Sequence, residues 1–137
     1  MTPTKERNQS SFLLRYNSDG ILFDCGEGTQ RQLKLTGIPI TRVTKILLTH
    51  WHGDHTLGLP GMIQSLGSSE YSKTLSIFGP KGTSERLKHI FKAFVFDIRI
   101  KLNIQEIESG KIYENDEFIL FATKLKHGIT TYGYSFI

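Results

Sequence analysis

Residues 46–55 read Ile-Leu-Leu-Thr-His-Trp-His-Gly-Asp-His, an apolar run followed by three histidines and an aspartate. The apolar part has the length and composition of a buried strand. The polar part then lies in a loop at the end of a strand, where a rigid element can position side chains. Side chains two apart in an extended loop project to the same side, so His50 and His52 can hold one ion while Asp54 and His55 face a neighbouring position. Imidazole with some carboxylate suits zinc best, with iron and manganese as alternatives.

Two further histidines lie outside this stretch. His89 falls on a predicted helix away from its apolar face, and we expect it to be a surface residue. His127 follows a predicted strand at the start of a loop, and it is the remaining histidine that could complete a three-histidine site with His50 and His52. On residue chemistry alone, a metal ligand and a merely hydrogen-bonded histidine are equally good interpretations of His127.

The segment Asp-Cys-Gly-Glu-Gly at residues 24–28 closes a predicted hairpin strand. Asp24 is either a turn residue or a carboxylate that orients a metal-binding histidine through its other ring nitrogen. Cys25 could bind a metal, but a small packed residue is the better interpretation. Glycines here permit a positive φ or a close backbone approach. Asp24, Glu27 and Gly28 are therefore candidates for supporting the site rather than for contacting the metal.

Composition describes an ordinary globular chain. The 137 residues are enough for one domain with its own core, and 38% are hydrophobic and 22% charged. A net charge of +4 points mildly toward an anionic partner, although on charge alone ordinary surface charge is the better interpretation. The single cysteine excludes an internal disulfide and fits a reducing compartment. The polar start and the lack of a long apolar run predict a cytoplasmic protein without membrane association.

Periodicity predicts a mixture of strands and helices. Strict alternation of apolar residues from 96 to 104 predicts the clearest half-buried strand. An apolar face of Leu87, Ile90, Phe91 and Phe94 predicts a helix that begins at Thr83. The other predicted elements are a hairpin at 11–24, helices at 29–35 and 58–66, and strands at 46–49, 74–78, 118–123 and 131–137. This mixture indicates an α/β or α+β class with a largely mixed sheet.

The pattern His-x-His-x-Asp-His after an apolar strand, with Asp-x-Gly upstream, resembles the metallo-β-lactamase superfamily. The flanking sequences narrow the resemblance to the ribonuclease Z family, the endonucleases that remove 3′ trailers from precursor tRNA. The matching stretches are residues 7–14, 24–33, 49–55, Gly-Leu-Pro-Gly at 58–61, Phe-Gly-Pro-Lys-Gly at 78–82, and His127 with residues 132–134.

This resemblance implies an α/β fold, the αββα sandwich, with metals at one edge of the paired sheets. It implies that His50, His52 and His127 hold one zinc ion, that Asp54 and His55 hold part of a second, and that the complete enzyme carries two. Asp54 is also the implied proton acceptor, although metal coordination keeps a carboxylate ionised and so favours its ligand role. The implied reaction is attack of metal-activated water on a phosphodiester of precursor tRNA, in a cytoplasmic homodimer.

The chain departs from the family pattern at both ends. It starts at Met1 without the family's opening strand and Gly-Thr-Gly loop, and it stops after His127 before the family's bridging aspartate and last histidine ligand. We therefore expect residues 1–137 to form a single domain, the amino-terminal part of the enzyme truncated at both ends, with an incomplete second metal site. Two alternatives stay open: another hydrolase of this fold acting on a thioester, lactone or arylsulfate, or an inactive metal-binding or RNA-binding fragment.

Overall fold

The structure is a computed structural model that describes residues 2–95 and 97–137, and the strands of this part of the chain form two sheets. The first sheet contains, in spatial order, β1 (Phe12–Tyr16), β2 (Asp19–Phe23), β3 (Lys45–Leu47), β4 (Thr74–Gly79) and β5 (Lys101–Glu106). β1 is antiparallel to β2, whereas β2 to β5 are parallel. The second sheet is antiparallel and contains β6 (Gly110–Glu114), β7 (Ile119–Leu125) and β8 (Thr131–Phe136).

Helices connect the strands of the first sheet. They are α1 (Thr29–Leu35), α2 (Gly53–Thr56), α3 (Leu59–Ser68) and α4 (Thr83–Ala93), with a 3-10 turn at Ile40–Arg42. Gly28, with φ 85°, precedes α1, and Gly37, with φ 77°, follows it, so the left-handed positions that glycine tolerates delimit this helix. None of the helices formed by the described residues has the length and apolar composition needed to cross a membrane.

The three central strands bury apolar residues on both faces of the first sheet. Neighbouring residues of a strand point to opposite faces, so consecutive apolar residues serve two cores. The core on the helical side contains Leu22, Ile46 and Ile77, together with residues of α1, α3 and α4. The core between the two sheets contains Ile21, Leu47 and Phe78, packed against Phe118 and Leu120. The continuous apolar run at 46–48 is therefore the consequence of two covered faces.

This architecture confirms the predicted α/β class with a mixed sheet. The layers are helices, first sheet and second sheet, which correspond to three of the four layers of the implied αββα sandwich. Because α1, α3 and α4 all line the same core, the described residues supply one helical layer. The hairpin and the strands predicted at 74–78, 118–123 and 131–137 are present, each within a few residues of the predicted bounds.

Two predictions about the segment around residue 96 are wrong in part. The strand predicted at 96–104 is observed from Lys101 onward, because its partner β4 begins at Thr74, which pairs with Lys101, and residues 97–100 pair with no strand. Phe96 lies outside the described residues. Phe94 does not join the apolar face of α4, since the helix ends at Ala93 and the Phe94 side chain is 55% exposed.

Candidate metal centre

Three histidines converge where β3 ends. One ring nitrogen from each of His50, His52 and His127 lies within 4.8 Å of the corresponding nitrogens of the other two. The ring centroids are 4.8 Å apart for His50 and His52, 5.2 Å for His50 and His127, and 5.6 Å for His52 and His127. His50 is buried and the other two are exposed, so the cluster opens to solvent on one side. This arrangement suits a metal ion with three protein ligands and an accessible fourth position.

The second sheet brings His127 to the first. The backbone N–H of Tyr132 donates to the carbonyl of Thr49 at 2.9 Å, and the Tyr134 hydroxyl donates to the carbonyl of Leu48 at 2.6 Å. These two bonds attach β8 directly to the segment that carries His50. His127 lies on the turn between β7 and β8, so the attachment places that turn beside the histidine loop.

Asp54 and His55 lie on α2, not on the extended loop that the sequence predicted. The short helix begins at Gly53, and the backbone N–H of His55 donates to the carbonyl of His52 at 2.9 Å. The Nε2 atom of His55 is 3.7 Å from a carboxylate oxygen of Asp54, and its ring centroid is 4.3 Å from that of His50. The pair therefore adjoins the three histidines, as expected, although by helical turning rather than by extended alternation.

Asp24 supports this cluster from the end of β2. Its side chain is buried, and its backbone adopts φ 62°, a left-handed conformation uncommon for a residue other than glycine. One carboxylate oxygen accepts from the Thr49 backbone N–H at 2.8 Å, and the other lies 2.6 Å from Nδ1 of His55. Asp24 is thus both a turn residue and a histidine-orienting carboxylate, the two interpretations that its sequence position had left open.

Two further residues of the 24–28 segment, Cys25 and Gly26, pack against the histidine loop. The Cys25 N–H donates to the His55 carbonyl at 2.8 Å, and a Cβ added at Gly26 would lie 2.6 Å from the carbonyl oxygen of Asp54. The Cys25 thiol is fully buried, and burial raises its pKa to about 12. Glu27 is exposed, and Gly28 caps α1 with a positive φ. At position 26 only a glycine fits, because the backbone there approaches that of Asp54 so closely.

The donor chemistry of the three histidines fits a metal ion. Burial, followed by the positive charge that His55 would carry, lowers the pKa of His50 and keeps its imidazole neutral near pH 7. Neutral imidazole is the form that binds a metal. Within residues 2–95 and 97–137, this is the one group of three or more potential ligands that converges. Asp54 and His55 could hold a second ion only with further ligands. His89 is exposed on α4, as expected.

Thr49 is a site residue to which the sequence alone gave no role. Its hydroxyl lies 2.8 Å from a carboxylate oxygen of Asp24 and 2.8 Å from Nδ1 of His50. The available signal was its place, a hydroxyl residue directly before the first histidine of the motif. Its partner Asp24 is 25 residues upstream, a separation that periodicity in the sequence does not report.

Comparison with known proteins shows the family to which this chain is similar. A family model described as the metallo-beta-lactamase superfamily matches residues 4–113. Ribonuclease Z of Methanothermobacter thermautotrophicus is 42% identical over 134 residues, which cover 98% of this chain and 44% of that protein. Ribonuclease Z of Nanoarchaeum equitans is also 42% identical, with 98% of this chain and 42% of that protein covered.

Among solved structures, the short form of human tRNase Z superposes with a TM-score of 0.91 at 26% identity, covering 100% of this chain and 61% of that one. A diphosphatase of the PhnP family superposes with a TM-score of 0.78 at 23% identity, a likeness of fold alone. The chain spans less than half the length of each of these two ribonucleases Z.

Proposed function

The chain belongs to the metallo-beta-lactamase superfamily, and we propose that it is part of a zinc-dependent endoribonuclease that removes the 3′ trailer from precursor tRNA. The observation that carries this proposal is the convergence of His50, His52 and His127 beside Asp54 and His55. The ribonuclease Z relatives, aligned over 98% of this chain, support the choice of substrate.

In this proposal the three histidines hold one zinc ion, and Asp54 with His55 provides part of a second position. Zinc bound by histidines supplies Lewis acidity and lowers the pKa of a bound water toward neutrality. The carboxylate of Asp24 contacts Nδ1 of His55 and so fixes the orientation of the ring. The other ring nitrogen of His55, Nε2, stays available. Asp54 acts first as a ligand, because a carboxylate beside a dication stays ionised.

The basic balance of the chain suits a polyanionic substrate. Seventeen Lys and Arg against thirteen Asp and Glu give the net charge of +4. Such charges attract the RNA backbone over a wide surface, and this attraction weakens with salt. Substrate binding and the chemical step therefore depend on different residues, and a mutation at the metal centre separates them.

The test uses the full-length protein, incubated with a precursor tRNA and zinc or manganese. We expect one cut after the discriminator base, leaving a 3′-hydroxyl on the tRNA. Asp54→Ala should reduce cleavage to background while tRNA binding stays nearly unchanged, since binding is spread over basic residues. Asp116→Ala, which removes an exposed carboxylate from the β6–β7 turn, serves as the matched control and should cut normally.

Two outcomes would redirect the assignment. Turnover of a thioester or lactone without any cleavage of precursor tRNA would place the protein among the other hydrolases of this fold. Robust cleavage by residues 1–137 alone would contradict the proposal that this chain holds only part of the active centre. The homodimer implied by the resemblance stays a prediction, which light scattering on the full-length protein would test.

A further inference from the structure

The hydroxyl of Thr49 lies between a buried carboxylate and a histidine of the proposed centre. Its oxygen is 2.8 Å from Oδ2 of Asp24 and 2.8 Å from Nδ1 of His50. The Thr49 backbone N–H also donates to Oδ1 of Asp24 at 2.8 Å. Thr49 therefore contacts both oxygens of one carboxylate and one ring nitrogen of the next residue.

The number of available protons determines the direction of these bonds. A threonine hydroxyl has one proton to donate and lone pairs to accept with, whereas an ionised carboxylate only accepts. The Thr49 proton must therefore point to Asp24, since two oxygens 2.8 Å apart without a proton between them would repel. The hydroxyl can then only accept from His50, so the hydrogen of the neutral ring lies on Nδ1. The lone pair of His50 is left on Nε2.

The same carboxylate oxygen governs a second histidine. Oδ2 of Asp24 lies 2.6 Å from Nδ1 of His55, and this bond also requires the hydrogen on Nδ1. Asp24 itself is held firmly: it is buried, and its backbone N–H donates to the carbonyl of Leu47 at 2.9 Å. The carboxylate of Asp24 thus orients the ring of His55 directly and the ring of His50 through the Thr49 hydroxyl.

We infer that Thr49 is a positioning residue that transmits the orientation of Asp24 to His50 and fixes the Nδ1–H tautomer, which leaves Nε2 available for a metal. This inference rests on the proposed metal centre for its consequence, but the tautomer is a property of the chain itself. A purely structural threonine would contribute to stability without determining which ring nitrogen carries the hydrogen.

Nitrogen NMR of the metal-free chain distinguishes the two roles, because protonated and unprotonated ring nitrogens have different chemical shifts. We expect His50 of the wild type to carry its hydrogen on Nδ1. Thr49→Val keeps the shape of the side chain but removes the acceptor, so His50 should shift toward the Nε2–H form. Thr49→Ser keeps the hydroxyl and should restore the wild-type spectrum. A wild-type His50 with its hydrogen on Nε2 would overturn the inference, even if Thr49→Val did not fold.

Zinc titration provides the second readout. Loss of a residue that orients a ligand typically costs 10- to 100-fold in metal affinity, so we expect Thr49→Val to bind zinc about 10-fold more weakly or worse. Thr49→Ser should bind as the wild type does. Equal zinc affinity of the valine and serine variants would contradict the inference. If the wild type bound no zinc while His50 kept its hydrogen on Nδ1, the metal centre would fail and the relay would stand.

Discussion

Asp24 has both a backbone role and a side-chain role in this site. Its left-handed φ of 62° turns the chain at the end of β2, and its two oxygens accept from Thr49 and face His55. A glycine would make the turn more easily but would leave both partners without an acceptor. The unusual backbone conformation and the polar contacts are therefore two parts of the same function, as is common where strain occurs at a site.

Cys25, the next residue, is a chemically silent neighbour of the site. Because its thiol is fully buried, which raises its pKa to about 12, only a very small fraction of molecules carries a thiolate at pH 8. We predict that a thiol reagent at pH 8 labels the native chain at a negligible rate and labels the urea-unfolded chain quickly. Rapid labelling of the native chain would show that the 24–28 segment opens readily or that the thiol is exposed.

At the scale of elements, a carboxylate from the first sheet caps α4. Glu106, the last residue of β5, accepts from the backbone N–H groups of Gly82 and Ser84 at 2.9 and 3.1 Å. These are donors that the first turn of a helix leaves without a partner within the helix. A negative charge at this end also interacts favourably with the helix dipole. These hydrogen bonds connect β5, at the edge of the first sheet, to α4, the helix that follows the neighbouring strand β4.

We predict that Glu106→Ala lowers the free energy of unfolding by about 1 kcal/mol, the usual cost of losing a helix cap. Glu108→Ala, which removes an exposed carboxylate two residues later, should change it by less than about 0.5 kcal/mol. Urea unfolding of the three proteins measures both differences. Equal stability of the two variants would show that the cap contributes nothing beyond a surface charge.

The attachment of β8 to the histidine loop is the second element-scale feature. Burial raises the pKa of Tyr134, and its hydroxyl donates to Leu48 of the loop segment. We predict that Tyr134→Phe costs about 1 kcal/mol of unfolding free energy, because a carbonyl loses its partner. Zinc affinity should fall as well, since His127 is held through β8. Tyr16→Phe, the same change on a partly exposed ring, should alter neither quantity. Unchanged zinc affinity in Tyr134→Phe would show that this bond of β8 does not position His127.

Sequence patterns predicted elements well where a strand is apolar along its length, as at 74–78, or where signals at the ends delimit a helix, as at 29–35. They failed where pairing decides the outcome. Alternation continues upstream of Lys101, but β4 offers no partner there, and the polar β6 at Gly110–Glu114 was not predicted because only its pairing with β7 makes it a strand. The turn of α2 was also missed, since four residues are too few to show a helical period.

At the scale of the whole molecule, a buried ion pair lies between the two sheets. Lys45 of β3 contacts Asp19 of β2 at 2.6 Å, and its ammonium lies 4.4 Å from the ring centroid of Tyr113 and 5.6 Å from that of Phe118. The side chains of the pair are only 8% and 13% exposed. Removing one partner would leave a buried charge unpaired, which is costly.

Because of this ion pair, we expect the free energy of unfolding to depend on pH. Burial opposes ionisation of Asp19, but hydrogen bonds from Lys45 and Thr44 outweigh it and lower the pKa of Asp19 below its ordinary 3.8. The unfolded chain therefore takes up a proton first, so the contribution is complete well above pH 4 and is lost as pH falls through the lowered pKa. We predict that Asp19→Ala costs about 3 kcal/mol of unfolding free energy at pH 7 and less at pH 3, which lies below the ordinary pKa of 3.8.

The control for this prediction is Glu114→Ala, which breaks the ion pair with Lys111 on the surface. Both of those side chains are about half exposed, and the exposed pair should contribute less than about 1 kcal/mol at either pH. Urea unfolding at pH 7 and pH 3 compares the two variants. An Asp19→Ala deficit that is the same at both pH values would refute the titration of Asp19 as its cause.

His127 marks the limit of what the sequence could say about the site. The motif at 50–55 indicated a metal by residue type and spacing alone, but His127 lies 72 residues beyond its end, counting 127 − 55. The packing of the two sheets, with the bonds from β8 to Leu48 and Thr49, brings its ring to the cluster. The resemblance implied this partnership, whereas residue chemistry left it open, because a long-range contact has no local signature.

Anomalous diffraction at the zinc edge, from crystals of this chain grown with zinc, tests the metal centre most directly. The proposed centre predicts one strong peak about 2.0–2.1 Å from a ring nitrogen of each of His50, His52 and His127, with Nε2 as the atom contributed by His50. A zinc ion held by His50 and His52 with His127 turned away, or a peak elsewhere with none at the three histidines, would contradict it.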